Sequence, residues 1–150
     1  MFMETRTILA AEDNADDVFL LQRAFTKARL DCNLQIVSDG EEALAYLRAD
    51  GKYADRKQFP FPSLLLLDIK MPKLNGLEVL KAVRSDPELK RLRVVMFTTS
   101  THEHDRLLAS ELHANSFLLK PTDPDASVEL LKMVENYWFT LDRMGGPPKS

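Results

Sequence analysis

Residues 63–72 read SLLLLDIKMP. Four consecutive leucines are too few for a helix and leave no polar face, so Ser63 to Leu67 fits a strand buried on both sides of a parallel sheet. The run stops on Asp68, and a loop with Pro72 and Gly76 leads into a helix marked by Leu77, Leu80 and Val83. The same unit recurs on either side. Upstream, Thr7 to Ala11 is a short strand that stops at the acidic stretch Glu12, Asp13, Asn14, Asp16, Asp17. A helix over about 15–29 follows, with Val18, Leu21, Phe25 and Ala28 on one face and acids in its first turn, where the helix dipole favours them. Leu34, Ile36 and Val37 mark a second strand, Asp39-Gly40 a turn, and Ala43, Leu44 and Leu47 a second helix. Downstream, Val94 to Phe97 is a strand ending on Thr98, followed by a polar helix over about 102–112. Phe117 to Leu119 is a strand ending on Lys120-Pro121, and the last helix starts near Asp125 and reaches Tyr137 or beyond. Strands alternating with helices predict an α/β layer structure on a parallel sheet. The connection over 50–62 (DGKYADRKQFPFP) is longer than the ~2–6 residues usual between a helix and a strand.

Composition narrows the function. The 150 residues suit one domain, and 45% hydrophobic with 29% charged residues is ordinary for a globular chain. Twenty Lys and Arg against 23 Asp and Glu give a net charge of −3, unsuited to gripping a phosphate backbone, so direct nucleic-acid binding is not expected. The basic stretch Lys90, Arg91, Arg93 reads as a solvated loop. The single Cys32 cannot form an internal disulfide and points to a reducing, cytoplasmic setting. MFMETRTI has no signal-peptide core, and no apolar run approaches the ~20 residues of a membrane span. No phosphate-binding GxxxxGK or GxGxxG exists. His102 and His104, two apart on a helix, do not share a face and make a poor zinc pair.

In an open parallel sheet, ligands gather at the carboxyl ends of the strands. That rule singles out Glu12-Asp13, Asp68, Thr98 and Lys120. Taken singly, each has a bland reading as a turn, cap or solvated residue; their coincidence at the ends of four strands carries the argument. Clustered carboxylates need a counter-charge, and Mg²⁺, a hard cation that takes oxygen ligands, is the natural one. Glu12, Asp13 and Asp68 with Mg²⁺ and Lys120 close near neutrality. A metal, a lysine and a hydroxyl could then hold a phosphoryl group, with Asp68 as nucleophile forming an aspartyl phosphate.

ILAAEDN, LLLLDIKMP, VVMFTTS and ANSFLLKP, in this order and spacing, resemble the receiver domain of two-component response regulators over residues 6 to 138. The resemblance implies a flavodoxin-like, doubly wound five-stranded parallel sheet in the order 2-1-3-4-5. It implies a single receiver domain over 1–150, with its core at about 6–139 and a flexible tail over 140–150. By that resemblance Asp68 is the phosphoacceptor, Asp13 a direct Mg²⁺ ligand, Glu12 a ligand through water and Lys70 a ligand through its backbone carbonyl. Thr98 and Lys120 bind phosphoryl oxygens, Thr98 and Phe117 form the switch, and Lys120-Pro121 is a cis peptide. The implied function is a stand-alone regulator, not an enzyme on other substrates. It is phosphorylated by a sensor histidine kinase and signals through the surface of the fourth helix, fifth strand and fifth helix. The proline-closed loop, ANSFLLKP and the terminal YW resemble the branch paired with phytochrome-type kinases. The alternative is a phosphatase or phosphotransferase of the haloacid-dehalogenase type, which wants a second acid where this chain has Lys70.

Departures from the family pattern are few. Ala10 and Ala11 replace bulkier aliphatics and thin the core. His113 stands where the family commonly has a left-handed glycine. Val128 to Leu141 holds nine apolar residues, among them Tyr137, Trp138 and Phe139, which point ~100° apart on a helix and cannot all reach one sheet. One reading has this end unwind and fold back. The other, which is the expectation here, leaves Leu130, Met133, Tyr137 and Leu141 as a second stripe for a partner, giving a homodimer through the C-terminal helix.

Overall fold

The computed structural model describes the backbone of residues 6–143 and the side chains of 6–139. Five parallel strands, β1 (Arg6–Ala11), β2 (Cys32–Val37), β3 (Leu64–Leu67), β4 (Val94–Thr98) and β5 (Ser116–Leu119), form one sheet in the order β2-β1-β3-β4-β5. Between and after them run α1 (Ala15–Ala28), α2 (Gly40–Arg48), α3 (Gly76–Ser85), α4 (Glu103–Glu111) and α5 (Pro124–Arg143). The doubly wound sheet implied by the resemblance is the one observed. Of the expected tail, the backbone of 140–143 continues α5, and the rest lies outside the described residues.

Strand alternation sorts the apolar residues onto two faces. Ile8, Ala10, Leu64, Leu66, Val95 and Phe97 meet Leu21 and Phe25 of α1 and Leu131, Val134, Trp138 and Phe139 of α5. Leu9, Ala11, Leu65, Leu67, Val94 and Met96 meet α2, α3 and Ala109 of α4. The four leucines of β3 are all buried, as a central strand covered on both faces requires. Each such side chain contributes about 1.5–3 kcal/mol on burial. α5 stays helical through Arg143, so the fold-back reading is not adopted. Trp138 and Phe139 both pack inward, under the guanidinium groups of Arg93 and Arg6, while Tyr137 stays exposed. Leu130 is half-buried against the core, Met133 is exposed, and the side chain of Leu141 lies outside the described residues.

The helices open at the edge where the strands end. Asn14, Asp39 and Asn75 each accept the N–H three residues on, capping α1, α2 and α3, and Glu78 completes a capping box on Asn75. α3 starts against the backbone of Asp68: a Cβ on Gly76 would lie 2.0 Å from the Asp68 carbonyl oxygen. The space, not the conformation, requires glycine there. At the opposite edge, Arg84 donates to the carbonyls of Lys90, Leu92 and His113 and to the Asn115 side chain. His113 takes the left-handed conformation expected of it, with φ 64°. The Lys120–Pro121 bond is trans, like every peptide bond among the described residues; the cis bond implied by the family pattern is not adopted. A trans X–Pro bond is the commoner state by about 0.5–1 kcal/mol.

The long connection is built rather than slack. A 3₁₀ turn over Gly51–Ala54 places Tyr53 between Tyr46 and Phe59, with ring centroids 5.1 Å apart in both pairs. Arg56 donates to the carbonyls of Tyr46 and Leu47 at the end of α2 and to that of Phe59. The Tyr53 hydroxyl donates to Glu42 Oε1 at 2.6 Å, and the Ser38 hydroxyl donates to Oε2 at 2.7 Å. These bonds hold the Glu42 carboxyl down at about 2, from an ordinary 4.5, with the Tyr53 hydroxyl the largest cause.

Two predictions follow from this packing. Gly76→Ala should cost about 1–3 kcal/mol in urea unfolding by overpacking, and should slow phosphorylation by displacing Asp68; unchanged stability would contradict the close approach. A carboxyl with a lowered folded pKa stabilises above its unfolded pKa and loses that contribution as pH falls through its folded value. Tyr53→Phe should therefore destabilise by about 1 kcal/mol at neutral pH. The deficit should shrink from pH 4.5 down towards about 2, and a constant deficit across that window would mean the hydroxyl does not act through Glu42.

Candidate functional site

The chain edge that ends β1, β3 and β5 brings Glu12, Asp68 and Lys120 together. Lys120 Nζ donates to Asp68 Oδ2 at 2.8 Å, to Asp17 Oδ2 at 2.9 Å and to Glu12 Oε1. Glu12, Asp68 and Lys120 are at most a tenth exposed at their side chains, whereas Asp17 is about a third exposed. Backbone geometry supports each group. Asp68 N–H donates to the Ala11 carbonyl, and Glu12 N–H to that of Val37, so both acids are placed by the sheet itself. Asp68 Oδ1 accepts the Ile69 N–H at 2.7 Å, and Glu12 Oε2 accepts that of Asn14 at 3.2 Å. The Lys120 N–H donates to the Thr98 carbonyl, tying the ends of β4 and β5.

Three carboxylates around one ammonium leave an excess of negative charge in a poorly hydrated place. Burial, with the charge of Asp68 adding to it, raises the Glu12 carboxyl from 4.5 to about 7 against the pull of Lys120. Burial alone would lower the Lys120 ammonium; its bonds to Asp68, Glu12 and Asp17 outweigh that and hold it above its ordinary value. One carboxylate oxygen from each of Glu12, Asp17 and Asp68 lies within 4.8 Å of the other two. Among the described residues this is the one group of His, Cys, Asp or Glu side chains with metal-holding geometry, and His102 and His104 are not part of it. Clustered hard oxygen donors with surplus negative charge fit a divalent cation such as Mg²⁺.

Above this cluster opens a cleft of about 610 Å³. Glu12, Asp13, Asp68 and Lys70 all line it, with Asp13 and Lys70 exposed on its rim. Asp13 is not within the tight carboxylate group, and Asp17, one helical turn further on, is. Nothing in the sequence separates Asp17 from the neighbouring Asp16; only the phase of α1, set by the Asn14 cap, turns it toward Lys120. Thr98 is buried and does not line the cleft, where Thr99 stands instead. Its Oγ1 accepts the Ser100 N–H at 3.2 Å. Phe117 is half-buried and packs against the core face of α2, α3 and α4. Behind the cluster, a cavity of about 50 Å³ lies between α1 and α5, lined in part by Ala10, Ala11, Leu21, Phe97 and Leu131. The two alanines thin the core there. Cys32 lies on β2 outside the site, and burial pushes its thiol up to about 12, away from the reactive range.

An acidic cleft over a buried Asp–Lys pair, at the carboxyl edge of a β2-β1-β3-β4-β5 sheet, is shared with known proteins. Residues 8–134 match the family model described as the response regulator receiver domain. The response regulator Rcp1 of Synechocystis is 36% identical over 134 residues, covering 89% of this chain and 89% of that protein. The crystal structure of the phosphorylated cyanobacterial phytochrome response regulator RcpA superposes with a TM-score of 0.82 at 36% identity, covering 91% of this chain and 96% of that one. The Mn²⁺-bound form of Rcp1 does so with a TM-score of 0.77, covering 89% and 94%. The chain belongs to the response regulator receiver-domain family and is a signalling protein of two-component systems.

Proposed function

We propose that Asp68 accepts the phosphoryl group, delivered by a sensor histidine kinase, and that the kinase is of the phytochrome type. The observation that carries this is the Asp68 carboxylate, bound by Lys120 at the floor of an acidic cleft. An Asp68 oxygen attacks phosphorus, forming the O–P bond as the N–P bond to the donor histidine breaks. Lys120 stays within reach and carries its charge to a phosphoryl oxygen, while Thr98 supplies a hydroxyl to another. Glu12, Asp13, Asp68 and the Lys70 carbonyl would hold Mg²⁺, with Asp17 beside them. When bound, the ion supplies positive charge against the phosphoryl oxygens. The similarity to regulators of phytochrome systems supports the kinase class.

In this reading the chain is one receiver domain, catalyses only its own phosphorylation and dephosphorylation, and works in the cytoplasm without touching nucleic acid. Among the described residues, no helix is long and apolar enough to cross a membrane. A phosphatase of the haloacid-dehalogenase type would need an acid where Lys70 stands. Phosphorylation replaces one negative charge on Asp68 with roughly two. Thr98 and then Phe117 move in response, altering the surface of α4, β5 and α5. That surface exposes Leu107, Leu119, Met133 and Tyr137, and a second copy of the chain covers it.

Incubation with acetyl phosphate and Mg²⁺ should add one acid-labile phosphoryl group. Asp68→Asn should abolish labelling while keeping the fold, because its volume is unchanged and Lys120 retains Glu12 and Asp17. Full labelling of that variant would sink the assignment, and continuous turnover of acetyl phosphate would favour the phosphatase. Light scattering should give twice the chain mass. A strict monomer at high concentration, with and without beryllofluoride, would remove the homodimer.

A further inference from the structure

The turn between β4 and α4 carries a chain of hydrogen bonds that the proposed reaction leaves unused. The Ser100 N–H donates to Thr98 Oγ1 at 3.2 Å, fixing the hydroxyl of a residue that is 1% exposed. The Ser100 hydroxyl in turn donates to Asp105 Oδ2 at 2.7 Å and accepts the His102 N–H at 3.3 Å. His102, the cap residue just before α4, makes no side-chain cap of its own. The Ser100 hydroxyl instead holds the N–H of that cap residue from two positions upstream, and Asp105, in the first turn, reaches back to hold Ser100. A helix start is ordinarily secured by its own cap side chain; here it is secured by the residue that also fixes Thr98.

We propose that Asp105 is a positioning residue for phosphoryl binding: with Ser100 it forms a latch that keeps the Thr98 hydroxyl down and ties it to the first turn of α4. This deepens the reading above and rests on Thr98 as a phosphoryl-binding hydroxyl. For Thr98 Oγ1 to turn toward the cleft, it must leave the Ser100 N–H. Ser100 resists because Asp105 and His102 hold its other end. Engagement of the phosphoryl group therefore works against the latch, and the start of α4 loosens as Thr98 moves. Coupling of this kind is reciprocal: whatever weakens the latch favours the phosphoryl-bound state.

Beryllofluoride with Mg²⁺, titrated calorimetrically into the full chain, reads this directly. Asp105→Ala and Ser100→Ala should each tighten binding about three- to tenfold, the worth of one partly buried hydrogen bond. The double variant should tighten it no further than Ser100→Ala alone, which already removes the bond to Asp105. Asp105→Asn, which keeps an acceptor for the Ser100 hydroxyl, should return to the parent affinity. A merely structural role for Asp105 would lower thermal stability without tightening ligand binding. Unchanged or weakened binding in the two alanine variants, additive effects in the double, or tightening in Asp105→Asn would each overturn the latch. Asp68→Asn separates the two readings. If it loses beryllofluoride binding while Asp105→Ala matches the parent, the latch alone falls; if it keeps binding, both fall.

Discussion

One ammonium group answers three carboxylates that come from separate parts of the chain: Glu12 after β1, Asp17 in α1 and Asp68 after β3. Removing carboxylates from water without such a partner is costly. Lys120 closes the cluster from β5, so the outermost strand on that side is chemically tied to the centre of the molecule. The pairing remains incomplete by design of charge, because one positive group cannot balance three negative ones. What is left over is an affinity for positive charge at the open end, which is what a receiver of phosphoryl groups requires of its metal.

The backbone supplies the precision that this charge arrangement needs. Asp68 and Glu12 are each fixed by a ladder-type bond to the neighbouring strand, and Asp68 is abutted by the first residue of α3. None of these supports comes from a flexible side chain. The exposed groups are those around the rim, Asp13 and Lys70. A floor fixed by backbone bonds under a solvent-facing rim suits a site that must admit a metal, a donor group and water in turn.

Much of this was legible in the sequence because strand ends are punctuated. Short apolar runs that stop on Glu12, Asp68, Thr98 and Lys120 name the residues that share an edge once the sheet is known to be parallel. What stayed hidden depended on angles or on long-range partners. Asp17 joins the cluster through the rotation of α1, which composition does not record. The order of the 50–62 segment rests on Arg56 reaching the carbonyls at the end of α2, a contact without periodic signature. Trp138 and Phe139, adjacent in sequence, are both accommodated because Arg93 and Arg6 lie over their rings and extend the core past the sheet's edge.

That last packing has an optical consequence. Trp138 is the sole tryptophan of the chain and is only 8% exposed. It sits beneath Arg93 with its ring edge-on to Tyr137 at 4.8 Å. Its fluorescence is therefore a private reporter of how α5 seats on the sheet, insulated from the acidic cleft at the other end of the strands. The molecule carries its own gauge for one helix, and a change in that signal on phosphorylation would measure distance travelled through the fold rather than events at the cleft.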